Sequence, residues 1–108
     1  MKAILFALFL FLLASCGPST KTILNSWVGK DKSDLIMKWG PPTQTTSDGK
    51  GGEVLVYAHR VYSNTGGNVY DAWQYRMMYA DTNGKIYHWL FKQNPNPPER
   101  VDVRVLLY

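Results

Sequence analysis

Two histidines, His59 and His88, one cysteine, Cys16, and a scatter of serines and carboxylates are the side chains to weigh first as base, nucleophile or metal ligand. A nucleophilic serine needs a strained elbow such as Gly-x-Ser-x-Gly to aim it, and neither Ser33 nor Ser63 has one. His59 and His88 fall on the first and third of three expected strands, so a meander places a strand between them. A single strand histidine of this kind is more often structural than catalytic. Asp71 and Asp81 flank the middle strand and read as turn residues. No His/Cys/carboxylate spacing matches a metal site. Gly49-Lys50-Gly51-Gly52 leads into a strand rather than a helix, the wrong context for a phosphate loop. The residues therefore predict no catalytic group, no metal and no cofactor, leaving a histidine-based hydrolase as a minor alternative.

Cys16 is better explained by its surroundings. Lys2 precedes an unbroken apolar run from Ala3 to Ala14, which is closed by the small residues Ala14-Ser15-Cys16-Gly17. A spanning helix needs about 20 apolar residues, so this run has the layout of a secretory signal instead. Leu13-Ala14-Ser15-Cys16 resembles the bacterial lipobox, in which the leader is cut before a cysteine that carries lipid. Residues 1–15 are thus expected to be a lipoprotein signal peptide, and residues 16–21 a lipidated tether. The sole cysteine excludes an intramolecular disulfide and would otherwise be a free thiol in an oxidising space. Several acyl chains hold a protein firmly where one does so marginally. In the lipobox pattern, Gly17 rather than Asp after the cysteine implies the outer membrane and its periplasmic face. Export also argues against a nucleic-acid partner, although the pI is near 9.3, because the basic residues are scattered.

The folded part must be built from the remaining residues, enough for one modest core. Ile23, Leu24, Trp27 and Val28 give a short helix one apolar face, with Thr20 or Thr22 as cap and Gly29 as terminator. Asp31 and Asp34 suit the cap and first turn of a second helix, Leu35, Ile36 and Trp39 form its face, and Gly40-Pro41-Pro42 ends it. Thr43 to Gly52 reads as a loop. Strands are expected over Val54 to Tyr62, Ala72 to Ala80 and Ile86 to Phe91, with the Asn83-Gly84 pair making the second turn. Residues 22–92 then form an α-α-β-β-β domain. Residues 93–108 form a Pro-rich extension in which Val101, Val103 and Val105 alternate as an edge strand or tail. The fold class is α+β, two short helices packed on a three- to four-stranded antiparallel sheet.

Gly29, Asp31, Asp34, Leu35, Trp39, Gly40 and Pro42 follow one another at intervals that resemble the signature of the small outer-membrane lipoprotein family SmpA/OmlA, the BamE-like group. Leu55-Val56-Tyr57 and the stretch Tyr79, Asn83-Gly84-Lys85, Ile86 are similar to its strand motifs. The likeness covers roughly residues 22–91 together with the lipobox. Asp in place of the cap hydroxyl, Trp39 in place of Leu and the Pro-rich tail depart from the pattern. The resemblance implies a helix-helix-sheet fold and a non-catalytic accessory or scaffold role in outer-membrane assembly or maintenance, with an envelope protein as partner. The repeats of beta-lactamase inhibitor proteins resemble the same architecture. They imply the alternative of a periplasmic inhibitor or immunity-type protein that presents its sheet to an enzyme.

Strand parity assigns the faces. A two- or four-residue turn at Asn83-Gly84 places Trp73, Tyr75, Met77 and Tyr79 beside Ile86, His88 and Leu90; a three-residue bulged turn reverses the pairing. This more continuous apolar set is expected under the helices, meeting Trp27, Leu35 and Trp39. The other face then carries Arg76, Tyr87, Trp89 and Phe91, an aromatic–cationic set of the kind enriched at interfaces. The C-terminal valines, a second protomer or another partner would cover it, or it would stay exposed.

Overall fold

A computed structural model describes residues 19–107; Cys16 and the leader lie outside the described residues. The element order is α1 (Thr20–Ser26), α2 (Lys32–Trp39), β1 (Gln44–Ser47), β2 (Glu53–Thr65), β3 (Asn68–Ala80), β4 (Ile86–Asn94), a 3-10 turn at Pro98–Arg100 and α3 (Val103–Leu106). The four strands form one antiparallel sheet in sequence order. The expected α+β class, helices on an antiparallel sheet, is the observed one.

Ser19 caps α1, accepting from the Thr22 amide at 3.2 Å, so the helix starts two residues before the expected domain boundary. Asp31 stands at the N-cap of α2 but makes no side-chain cap bond there. Its carboxylate pairs with Lys85 at 2.8 Å instead, and its backbone bridges to Lys85 beside the start of β4. Gly40 ends α2 at φ 84°, a conformation glycine adopts without a Cβ penalty.

The stretch read as a loop contains β1, the fourth strand. Thr45 and Thr46 are β-branched and pair with Leu55 and Val54. The connection is held by Asp48, whose Oδ1 accepts from the amides of Lys50 and Gly52 at 2.7 and 2.8 Å. Only Gly84 of the Asn83-Gly84 pair takes positive φ. The β3–β4 connection is not the expected simple turn: Ala80 pairs with Ile86, and a bulge then shifts the register so that Tyr79 pairs with His88. Beyond the bulge the parity is the expected one, with Met77 opposite Leu90 and Met78 opposite Trp89.

The faces are used the other way round. The helices cover Leu55, Met78 and Ile86, which pack with Leu24 and Leu35 and with the partly buried Trp27, Trp39, Tyr57, Trp89 and Phe91. Tyr75, Met77, Val54 and Val56 lie on the opposite face with Trp73, Tyr79 and Leu90, and the C-terminal segment covers them through Val103, Val101, Leu106 and Leu107. That segment is no strand. Asp102 caps α3 by accepting from the Arg104 amide at 3.0 Å. Val103, Leu106 and Leu107 then follow helical rather than strand spacing. Tyr75 fastens the entry to the tail, donating its hydroxyl to the Asn96 carbonyl at 2.6 Å. Both faces of the sheet are therefore buried, which explains why Met77 and Met78, adjacent in sequence, are each fully buried. The bulge carries Ile86 across to the helix side.

Candidate functional site: an aromatic–cationic cleft

The four residues grouped by parity are dispersed. Trp89 and Phe91 are half-buried in the helix-side core, and the Trp89 indole donates to the Asn25 side-chain oxygen at 2.7 Å. Tyr87 sits at the bulge and leaves that group. Its ring packs edge-on against Tyr79 at 5.9 Å, and its hydroxyl donates to Asp48 at 2.9 Å. Arg76 lines an open cleft between the end of α2 and the sheet, apart from the small pocket that Tyr87 borders with Asp48 and Asp81.

The cleft, about 260 Å³, is lined by Trp39, Tyr57, Ala58, His59 and Arg76. Each wall follows from the local fold. Trp39 is the last residue of α2, where Gly40 turns the chain away. Tyr57 and His59 are on the helix-side face of β2, and Arg76 is directly opposite Tyr57 on β3. The Tyr57 hydroxyl donates to the Gly40 carbonyl at 2.9 Å and thereby pins the helix end to the sheet. Burial pushes the Tyr57 phenol above its ordinary value, so this donor stays protonated. The Trp39 ring stands perpendicular to Tyr57 at 5.2 Å and edge-on to Trp27 at 5.9 Å.

Arg76 is the unusual member. Its guanidinium lies 5.7 Å from the centre of the Trp39 ring, a cation–π contact. It has no ion-pair partner among the described residues, and its Nε is buried without a hydrogen-bond partner. A buried donor left unpaired costs about 1–3 kcal/mol. Among the other arginines, Arg60 and Arg104 are matched to Asp71 and Asp102, whereas Arg100, like Arg76, forms no ion pair among the described residues. An arginine fork held against an aromatic ring and lacking an internal carboxylate is suited to an incoming carboxylate or other planar anion.

His59 and His88 are not brought together. His59 borders the cleft, whereas His88 is on the tail-side face against the Tyr79 ring at 5.1 Å. No group of three or more His, Cys, Asp or Glu among the described residues is placed to hold a metal. No helix among them is long and apolar enough to cross a membrane.

No family model matches the chain, and comparison with curated proteins and with solved structures finds no match.

The Tyr87–Asp48 pair joins β4 to the β1–β2 connection and has a measurable signature. Burial, followed by the hydrogen bond to Asp48, pushes the Tyr87 phenol up to about 12. The raised value means that the folded chain holds this proton more tightly than the unfolded one. Its stabilising contribution is complete below the ordinary tyrosine range near 10 and is lost as the pH rises towards about 12. An absorbance titration should show a late tyrosinate step that disappears in Tyr87→Phe and moves to lower pH in Asp48→Asn. An identical alkaline curve for all three proteins would contradict the pairing.

Proposed function

We propose that this chain is a bacterial envelope lipoprotein, anchored through Cys16 on the periplasmic side of the outer membrane, that acts as a non-catalytic accessory or scaffold by binding another envelope protein. The observation that carries the binding role is the Arg76 cleft: a guanidinium stacked on Trp39, beside Tyr57 and His59, without an internal counter-charge. In this reading the cleft receives an acidic side chain or terminal carboxylate of the partner. The leader and lipobox-like run in the sequence support the anchor, and the motif intervals support kinship with the SmpA/OmlA lipoproteins.

Arginine anchors at the centre of an interface are worth about 2 kcal/mol or more on truncation, roughly thirtyfold in affinity. The test is photocrosslinking in cells from a reactive amino acid placed at His59. A discrete adduct with an envelope protein is expected, and Arg76→Ala should reduce it strongly while the circular dichroism of the purified protein is retained. Loss of adduct in Arg76→Ala supports the cleft; adducts equal in both, or none in either, would remove it. Trp89→Ala is the wrong probe, because Trp89 is packed beneath α1 and its loss acts on the fold.

A further inference from the structure

β2 and β3 outrun the rest of the sheet. β1 pairs with β2 only as far as Gln44 opposite Val56, and β4 pairs with β3 only as far as Asn94 opposite Trp73. From Val61 opposite Ala72 to Thr65 opposite Asn68 the two strands continue alone. At about 3.3 Å per residue this arm projects roughly 17 Å beyond its last supported pair. Gly66 and Gly67, at φ 58° and 88°, close it in a two-residue turn. Its base is braced by a two-pronged Arg60–Asp71 pair, both bonds 2.8 Å, and by the Tyr70 hydroxyl donating to Gln93 at 2.6 Å.

The arm differs in chemistry from the body. No charged residue occurs from Val61 to Tyr70, and Arg60 and Asp71 at its base neutralise each other. Tyr62, Val69 and Tyr70 are exposed by 56%, 61% and 45%. The direction of α1 supplies the second observation. Gly29, just after α1, donates its amide to the Ile86 carbonyl at the start of β4, while Asn25, nearer the N-terminus, meets Trp89. Traced backwards, α1 thus advances along β4 towards the end from which the arm projects. Only Gly17, Pro18 and Ser19 separate Cys16 from Thr20, a covalent reach of at most about 14 Å. The described chain thus begins towards the end of the sheet from which the arm projects, and the greatest reach from Thr20 back to Cys16 is comparable to the length of the arm.

We propose that the arm is a second membrane contact, lying in the headgroup layer of the bilayer leaflet that holds the acyl chains of Cys16, with Tyr62, Val69 and Tyr70 in the interface. The inference rests on lipidation of Cys16. Tyrosine is favoured at the membrane–water boundary, and an uncharged arm has no ion to desolvate there. The unpaired backbone groups along both edges of the ribbon limit its depth, because they need water that the hydrocarbon does not provide.

Acylation of the native cysteine leaves an introduced one as the sole free thiol. Full-length lipidated Val69→Cys, labelled with an environment-sensitive fluorophore, is reconstituted into vesicles of phosphatidylethanolamine and phosphatidylglycerol. Lys50→Cys, in the β1–β2 connection at the opposite end of the sheet, is the control. Blue-shifted emission and quenching by headgroup-level spin-labelled lipid are expected at the Val69 site and not at the Lys50 site. Identical, water-like emission at both sites in protein that floats with the vesicles overturns the arm contact while leaving the anchor intact. Failure to acylate Cys16 overturns both. A shift seen only in whole envelopes and not in pure lipid assigns the arm to a protein partner and also overturns the proposal.

Discussion

Removing residues 95–108 should leave a chain that no longer folds cooperatively as a monomer. The tail covers the face carrying Tyr75, Met77, Val54 and Val56, each fully buried. Burying a Val or Leu side chain contributes about 1.5–3 kcal/mol when complete. With Val103 buried and Val101, Leu106 and Leu107 partly so, the tail supplies on the order of 5 kcal/mol. Its loss also leaves the Tyr75 hydroxyl without the Asn96 carbonyl and the Gln44 side chain without the Pro98 carbonyl. Net stabilities of small domains are about 5–15 kcal/mol, so this is a large share of the whole. In a domain of this size each kcal/mol moves the melting midpoint by about 4–8 °C. A fall of more than about 20 °C, or self-association through the opened apolar face, is therefore expected for the truncated chain. Calorimetry with analytical ultracentrifugation checks it. An unchanged midpoint in a monomeric truncation product would show that the tail is decoration rather than core.

The tail is also where sequence reading and structure part most clearly, and the reason is physical. Val101, Val103 and Val105 alternate, which is a strand pattern, but Val103, Leu106 and Leu107 fit a helix equally well. Short apolar runs cannot be told apart by periodicity. The deciding signal is Asp102, a cap residue one position before α3, and its weight is visible only once the faces of the sheet are known. The two helices were legible because their apolar residues recur at helical spacing and Gly29 and Gly40 punctuate them. The three long strands were legible from β-branched and aromatic density, although each runs further than its apolar run. β1 was not, since Gln44, Thr45, Thr46 and Ser47 gain their strand from pairing with β2 rather than from apolar content.

The candidate site was half legible. Arg76 stood out as a cation among aromatic strand residues, and it is the residue that lines the cleft. Parity on one strand pair groups it with Tyr87, Trp89 and Phe91. Parity does not report that Trp89 and Phe91 pack into the helix-side core, or that the bulge turns Tyr87 towards Asp48. The true neighbours Trp39, Tyr57 and His59 come from a helix end and from a strand one step further in the sheet. Only tertiary contact assembles them. A two-sided sheet is the root of the difficulty: when both faces are apolar, alternation cannot say which face the helices choose.

The largest functional effect should come from one atom, the sulfur of Cys16. Under the proposed function a tether at Cys16 would confine the Arg76 cleft and the β2–β3 arm to one bilayer surface. Firm attachment requires more than one acyl chain, each buried methylene adding about 0.8 kcal/mol. Cys16→Ser should therefore lose attachment altogether, with the folded domain unaltered. The measurement is metabolic labelling with a fatty-acid probe followed by envelope fractionation of wild-type and Cys16→Ser chains. Label on the wild-type chain in the outer-membrane fraction, absent from the variant, is the predicted result; an unlabelled wild-type chain in the cytosol with residues 1–15 still attached would contradict it.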